Sequence, residues 1–579
     1  MNFTPEKKRI AILGGGPSGL FMYKRLTESN IIGLEIEIFE RKAYLGSGMP
    51  YSLEGANDEH ITNVSDNEIP LIYTSIEEWV KTVPKAFLQR FNINPARFNE
   101  YKVLPRLFFG EYLLAQFDLL QQRAATEDIS TVIHLNSIIT DITDHPESNR
   151  VEVNIEGREA LFFDCVIICT GHNWPKKHEG VVPGYFDTPY PPRKLALPLN
   201  SPVGIKGSSL TAIDAIRTLA RANGSFEEIT DGKLRFKTDN KSSGFKMVMH
   251  SRNGLLPAIR FHLEDSHLGK DALLSPEDIR KNIAQNDGFL SLDFVFEKNF
   301  KNMFPEKEPA FYELIRDMNL ETFVDKMMSF RENAEPFELF RAEYVEAEQS
   351  IRRKQSIYWK EMLAVLSFAM NYPAKYLSAE DMQRLQMVLM PLISIVIAFV
   401  PQSSCRELLA LHDAGVLEII SVGEDSSVTP DNSGGGTYHY VDEFGKAVSA
   451  HFDVFIDCIG QPHLSYEDFP FKGLTTAGTV SQALLRFQSA ERGKKEMDAQ
   501  NELVIRNGEG AYFLKVPGIT INDAFQVVDA GGNVNERIHI MAVPYIGGYN
   551  PDYSGLDFCE AASEMVIGKL ADTMSNDRL

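Results

Sequence analysis

The apolar run Arg9-Ile10-Ala11-Ile12-Leu13 is followed by Gly14-Gly15-Gly16-Pro17-Ser18-Gly19, and then by apolar positions Leu20, Met22, Tyr23 and Leu26 at helical spacing. This pattern predicts a strand, a glycine turn and a helix. A second strand is predicted over Leu34–Phe39, where apolar and polar residues alternate up to Glu40. The same rhythm returns at Pro202-Val203-Gly204-Ile205-Lys206, the turn Gly207-Ser208-Ser209 and the helical stretch Leu210-Thr211-Ala212-Ile213-Asp214-Ala215, with a further strand over Phe245–His250. Two apolar strands, Asp164–His172 and Asp453–Gly460, contain or end in a glycine, at Gly171 and Gly460. From about Ala258 to Pro401 the strand–helix alternation stops, and Leu314–Met318 and Ile357–Met370 carry apolar residues at helical spacing. Pro401–Arg406 opens another helix, followed by a strand over Leu417–Val422 and a turn at Gly434–Gly436. A last strand is predicted over Ile538–Gly548, and a terminal helix from Asp557 to Leu570.

Each glycine of the first turn has its own steric reason. Gly14 permits the tight turn, Gly16 lets backbone approach a pyrophosphate, and Gly19 lets the helix pack on the strand, while the helix N-terminus, with Pro17 and Ser18, offers N–H groups to the phosphate charge. Glu40 follows the last glycine by about 20 residues, the spacing for a carboxylate that accepts hydrogen bonds from a ribose diol. In the second turn Gly207 takes the first glycine position, Ser209 the second and Ala212 the third, flanked by Ser208 and Thr211. Alanine is acceptable at the third position, but Ser209 puts a side chain where backbone should meet pyrophosphate. Ser251-Arg252 stands where an NAD-specific site carries an acid, which suits a 2′-phosphate and makes NADPH the preferred second nucleotide. A second domain kept for architecture or substrate binding stays open as the alternative.

Composition narrows the picture. A chain of 579 residues exceeds one ordinary core, so two or three domains, or one with large insertions, are expected. With 58 Lys+Arg against 80 Asp+Glu the formal charge is -22, which argues against nucleic acid as a partner. None of the cysteines, Cys165, Cys169, Cys405, Cys458 and Cys559, pairs as C-x-x-C, so buried thiols in a reducing compartment are expected rather than a redox dithiol or a metal framework. His262, Glu264, Asp265 and His267 lack the spacing of a helical ligand pair and read as a solvated loop, and no metal is expected. The start, Met1 to Lys8, is charged and lacks a signal-peptide pattern, so a cytoplasmic protein is expected. Met387–Val400 is shorter than the roughly 20 residues a spanning helix needs and contains Pro391, so it reads as a buried helix, with no integral membrane association.

Arg41–Ser52, with Gly48 and Tyr51, and His60–Val64, with Asn63, resemble the FAD-binding half of two-dinucleotide flavoproteins. In order, G-G-G-P-S-G, E-R, G-S-G-M-P-Y-S, C-T-G-H, K-G-S-S-L-T-A-I-D, H-S-R-N-G-L-L-P and the terminal G-G-Y-N-P resemble bacterial FAD/NAD(P)-binding proteins related to N-hydroxylating and Baeyer–Villiger monooxygenases. The resemblance, which covers most of the chain outside the helical segment, implies an α/β fold class: two Rossmann-like domains, one for FAD (1–198 and 453–579, discontinuous) and one like an NAD(P)H domain (199–452); the helix-rich stretch 258–401 reads as an insertion in the second domain, expected to cover the substrate cleft. It also implies that Glu40-Arg41, Gly48, Tyr51, Asn63, Thr170-Gly171, Gly547-Gly548 and Leu556 surround FAD. In such enzymes NADPH reduces the flavin, O2 adds to it, and the C4a-hydroperoxide oxygenates a small molecule; no catalytic side chain is obligatory, and none stands out here. Pro183–Pro192 lacks the histidine many relatives carry in that region, which disfavours Baeyer–Villiger activity and leaves an amine or amino-acid nitrogen as the preferred target. The alternatives are an FAD-dependent oxidase or dehydrogenase with a degenerate NAD(P)H site, and a non-catalytic FAD-binding protein. A homo-oligomer is compatible with the sequence.

Overall fold

The computed structural model describes residues 7–576, apart from 30, 128, 173, 265–273, 462 and 552–554. Asp265 and His267, the first six residues, and Asp552-Tyr553-Ser554 therefore lie outside the described residues. Two parallel sheets organise the chain. In chain order their strands are β1 (Lys8–Leu13), β2 (Leu34–Phe39), β3 (Ser130–His134), β4 (Cys165–Ile168), β5 (Tyr185–Phe186), β6 (Pro202–Lys206), β7 (Lys246–Ser251), β8 (Leu417–Ser421), β9 (Val454–Asp457), β10 (Gln526–Val528) and β11 (Val534–Ile540). The first sheet has six strands in the order β10-β11-β4-β1-β2-β3, and the second has five in the order β5-β9-β6-β7-β8. All pairings in the two sheets are parallel except β10 with β11. Helix α1 (Pro17–Glu28) follows β1, α2 (Arg106–Thr126) precedes β3, α3 (Leu210–Asn223) follows β6, and α4 (Gly555–Asn576) closes the chain. The central strands bury unbroken apolar stretches, Ile10–Leu13, Cys165–Ile168 and Val454–Ile456, as parallel strands covered on both faces do. Mixed α/β architecture with two dinucleotide-type sheets is thus the fold class, as the pattern of turns predicts.

Three elements differ from the sequence reading. The last strand ends at Ile540, and Met541–Gly548 leaves the sheet through a short turn at Val543–Tyr545, because Pro544 has no N–H for a ladder. The apolar run Met387–Val400 is not one buried helix. Leu385–Leu389 is a widened π turn, Met390–Val396 a short helix restarted at Pro391, and Met387 is 75% exposed. Leu314–Met318 straddles the end of the helix Pro309–Ile315 rather than forming one of its own.

Most of the helical segment shares its core with the first sheet: Val295, Phe323, Leu363 and Leu389 belong to the same apolar cluster as Ile12, Ile38 and Val166. Phe337, Phe340 and Val400 pack instead with the second sheet. Polar ties strengthen the first attachment. Tyr372 and Tyr376 donate to Asp523 at 2.9 and 3.0 Å, and Glu380 accepts the backbone N–H groups of Gln488 and Ser489, both at 2.9 Å. The segment inserted between β7 and β8 is therefore a bridge between the two sheets. No described helix is long and apolar enough to cross a membrane.

Two core histidines make stability depend on pH. His250 at the end of β7 stacks on Tyr438, with centroids 4.3 Å apart, and burial pushes its pKa down to about 4. Burial does the same to His539 on β11, also to about 4. The unfolded chain takes up these protons near pH 6.5 and the folded chain does not, so their contribution is complete above that pH and is lost as the pH falls towards 4. Each histidine is expected to cost about 2 kcal/mol between pH 7 and pH 5. Urea titrations at the two pH values check this: His250→Phe, which keeps the stacking, is expected to shrink the difference by about 2 kcal/mol, and an unchanged difference contradicts it.

Candidate functional site

At the C-terminal end of β1 the chain must turn sharply under α1. Gly14 does so at φ +111°, and a Cβ there would lie 2.5 Å from the Cys169 carbonyl oxygen. Gly16 caps α1, and its Cβ would lie 3.3 Å from Gly48 Cα, so two stretches of bare backbone face each other across the turn. A Cβ on Gly19 would collide with the Gly14 carbonyl oxygen, which is the helix–strand contact expected of the third glycine. Glu40, at the end of β2, is 8% exposed, and its carboxylate is aimed by two backbone donors, Gly15 N–H at 2.8 Å and Lys42 N–H at 3.0 Å.

These groups open on a cavity of about 400 Å³. Of the residues expected around FAD, Gly14, Gly16, Pro17, Ser18, Glu40, Arg41, Gly48, Tyr51, Thr170, Gly171 and Leu556 line it. The structure does not bring Asn63, Gly547 or Gly548 to its wall. Asn63 lies on the strand Ile61–Ser65, where its carbonyl accepts a hydrogen bond from Arg260. A Cβ on Gly547 would run into the His463 ring, and one on Gly548 into Pro517 and Val516, so these glycines serve packing. The wall also includes Lys42, Ser137–Ile139, His172, Phe471 and Val543–Tyr545, none of which the sequence singled out. Ile138 is 47% exposed, an apolar surface beside Ile139 and Phe471 suited to a flat base. The only signal for it in sequence is an apolar Ile-Ile pair, which any strand shares.

The fit to a dinucleotide shows in what the protein leaves unsatisfied. Thr170 Oγ1 and His172 Nδ1 are buried without a hydrogen-bond partner, and both residues line the cavity. Buried polar atoms are rarely orphaned, so each is placed to hydrogen-bond a bound group or an ordered water. The first turn of α1 adds backbone N–H groups at Gly16 and Ser18, and Gly555 and Leu556 at the start of α4 also line the cavity.

The second sheet repeats the turn. Gly207 has φ +106°, a Cβ there would lie 2.9 Å from the Cys458 carbonyl oxygen, and Ser209 caps α3. Hydrogen bonds correspond one to one: Gly14 N–H to Phe39 and Gly207 N–H to His250, Cys169 N–H to Leu13 and Cys458 N–H to Lys206, all at 2.8 Å. Ser209 is exposed, so its side chain is tolerated there. Ser208 is turned away, donating to the Leu255 carbonyl at 2.7 Å. Ser251 closes β7 with a buried Oγ that has no partner, and Arg252 beside it is exposed. Thr211, in the first turn of α3, lies under the chain where it returns to the first sheet, its Oγ1 3.9 Å from the Cβ position of Gly460.

A buried ionic cluster, announced by no motif in the sequence, joins the two halves. Asp214 of α3 accepts from Arg106 Nη1 at 2.6 Å and from Tyr190 Oη at 2.7 Å on the same oxygen, and its carbonyl meets His60 Nε2 at 3.1 Å. Burial opposes the Asp214 charge, but Arg106, His60 and the Tyr190 hydroxyl hold its pKa below the usual carboxylate range. Burial also lowers the His60 pKa, keeping that ring neutral near pH 7.

Two parallel sheets, each ending in a strand–glycine–helix turn, define a two-dinucleotide flavoprotein of the FAD/NAD(P)-binding type. Residues 11–173 match the FAD-NAD(P)-binding family and residues 275–397 the YdhS-like middle domain. The uncharacterized protein YdhS of Escherichia coli (strain K12) is 30% identical over 472 residues, 81% of this chain and 86% of that protein. The chain belongs to this YdhS family. Among solved structures, the ornithine N-hydroxylase of Kutzneria sp. 744 superposes with a TM-score of 0.45 at 11% identity, over 99% of this chain and 100% of that one. The cadaverine monooxygenase DfoA of Erwinia amylovora gives 0.46 at 8% identity, over 98% and 95%.

Proposed function

We propose that the protein is an FAD-dependent, NADPH-using monooxygenase acting on a small molecule, with an amine or amino-acid nitrogen as the preferred target. The observation that carries this reading is the duplicated strand–glycine–helix turn, Gly14 and Gly207 making matching backbone hydrogen bonds beside the two crossings that carry Cys169 and Cys458. A bound flavin supplies hydride acceptance and electron transfer to O2. The chain's own part is to hold, orient and enclose. Gly14–Ser18 and Gly48 grip the diphosphate, Glu40 holds the ribose, Ser251 and Arg252 take the 2′-phosphate of the second nucleotide, and the Asp214–Arg106 cluster holds α3 against the first domain.

Anaerobic rapid mixing with NADPH tests this. Fast bleaching of the flavin supports the reading; bleaching only by an organic substrate overturns it in favour of an oxidase or dehydrogenase. Arg252→Ala is expected to weaken NADPH by about tenfold or more while changing NADH little, because only the former has a phosphate to lose. Equal losses for the two coenzymes contradict the role given to Arg252.

A further inference from the structure

His172 stands on the first crossing between the two halves, two residues beyond Thr170, and the sequence assigned it no role. Its ring is buttressed by aromatic packing. Trp174 packs on it at 5.5 Å between centroids, Tyr190 packs on Trp174 at 5.4 Å, and the Tyr190 hydroxyl is tied to Asp214 and so to Arg106. Gln461, on the returning crossing, is a polar neighbour of the imidazole. Nδ1 is buried and has no hydrogen-bond partner. The remaining edge belongs to the cavity wall, beside Gly171 and Thr170, whose Oγ1 is also buried and unpartnered. Burial lowers the pKa of His172, so the ring is neutral near pH 7 and can offer one nitrogen to each neighbour.

We propose that His172 is a cofactor-contacting residue whose Nδ1 hydrogen-bonds a polar atom of the FAD in this cavity, with Thr170 Oγ1 as its companion. This rests on the FAD reading of the cavity and adds a contact to it. It also links the flavin, through Trp174 and Tyr190, to the ionic cluster that holds α3. An aromatic relay of this kind keeps the imidazole from turning its unpaired nitrogen elsewhere.

The test uses the two carboxamide replacements of histidine. Asparagine places a polar atom near the Nδ1 position and glutamine near the Nε2 position. Full-length protein stripped of flavin is titrated with FAD, binding being read from flavin fluorescence, for the wild type and for His172→Asn, His172→Gln and His172→Ala. Thermal melts confirm that each is folded. His172→Asn is expected to stay within about threefold of the wild type, with His172→Gln and His172→Ala weaker by about tenfold. Equal affinities for the Asn and Gln variants, at any level, overturn the proposal, and so does a better result for Gln, which would place the effect on the Gln461 side. If the wild type itself does not bind FAD, the reading of the cavity falls with it. FAD bound by the wild type and equally by all three variants removes His172 alone.

Discussion

Gly16→Val is expected to give a folded, colourless protein that binds FAD at least about a hundredfold more weakly than the wild type, the loss of one to two charge-assisted hydrogen bonds. The Cβ position of Gly16 is already 3.3 Å from Gly48 Cα, so the added methyl groups must either push the Gly46–Pro50 loop outward or fill the space where diphosphate meets the first N–H groups of α1. Both routes destroy the cradle without touching the core, since Ile10–Leu13 and Val166–Ile168 stay packed. The matching change in the second turn provides the contrast. Ser209→Val is expected to leave FAD bound and to weaken NADPH, because Ser209 is exposed at the N-cap of α3, in the second turn and not the first. Absorbance of the purified variants near the flavin maximum, with titration of each nucleotide, checks both. Stoichiometric FAD in Gly16→Val contradicts the account of the first turn.

Asp214→Ala is expected to destabilise the protein by about 3–5 kcal/mol, because it strands the Arg106 guanidinium in a site sealed by Tyr190 and His60. The side chains of Arg106 and Asp214 are 16% and 6% exposed, so water does not screen the loss. Removing both charges in Asp214→Ala/Arg106→Met is expected to recover much of it, since the penalty comes from an unpaired buried charge more than from the worth of the pair. The pH dependence has a definite sign. A carboxylate whose folded pKa is depressed contributes fully above about 3.9 and loses its contribution as the pH falls through the folded value, so the single-variant loss is expected to be flat from pH 5 to 8. Chemical denaturation of the two variants measures it, and a loss below about 1 kcal/mol for Asp214→Ala would show that the cluster does not hold α3.

The turns were legible because their requirements are local. A tight turn at positive φ, a backbone contact and a helix N-terminus need only residues within one short stretch, so Gly14-Gly15-Gly16-Pro17-Ser18-Gly19 declares itself, and Glu40 follows at a readable spacing. The second turn was legible for the same reason, although the departure at Ser209 is explained only by the exposure of that residue in the folded chain. The terminal Gly547-Gly548 misled, because a glycine pair looks alike whether it admits a ligand or a neighbouring ring, and here it admits His463. Met387–Val400 misled because hydropathy reports apolar content and not which side chains face outward, as Met387 does from the π turn Leu385–Leu389.

From the amino-acid order alone came the two dinucleotide units, the alternation of their strands and helices, and the residues of the first cradle, since each depends on neighbours a few positions away. Only the folded chain decided that the helical segment shares its core mainly with the first sheet, that Ile138 and Phe471 face the same cavity as Gly16, and that His60, Arg106, Tyr190 and Asp214 meet in one buried cluster. Those contacts join residues far apart in sequence, and their energies arise from burial and charge pairing, which exist only after the chain has closed on itself.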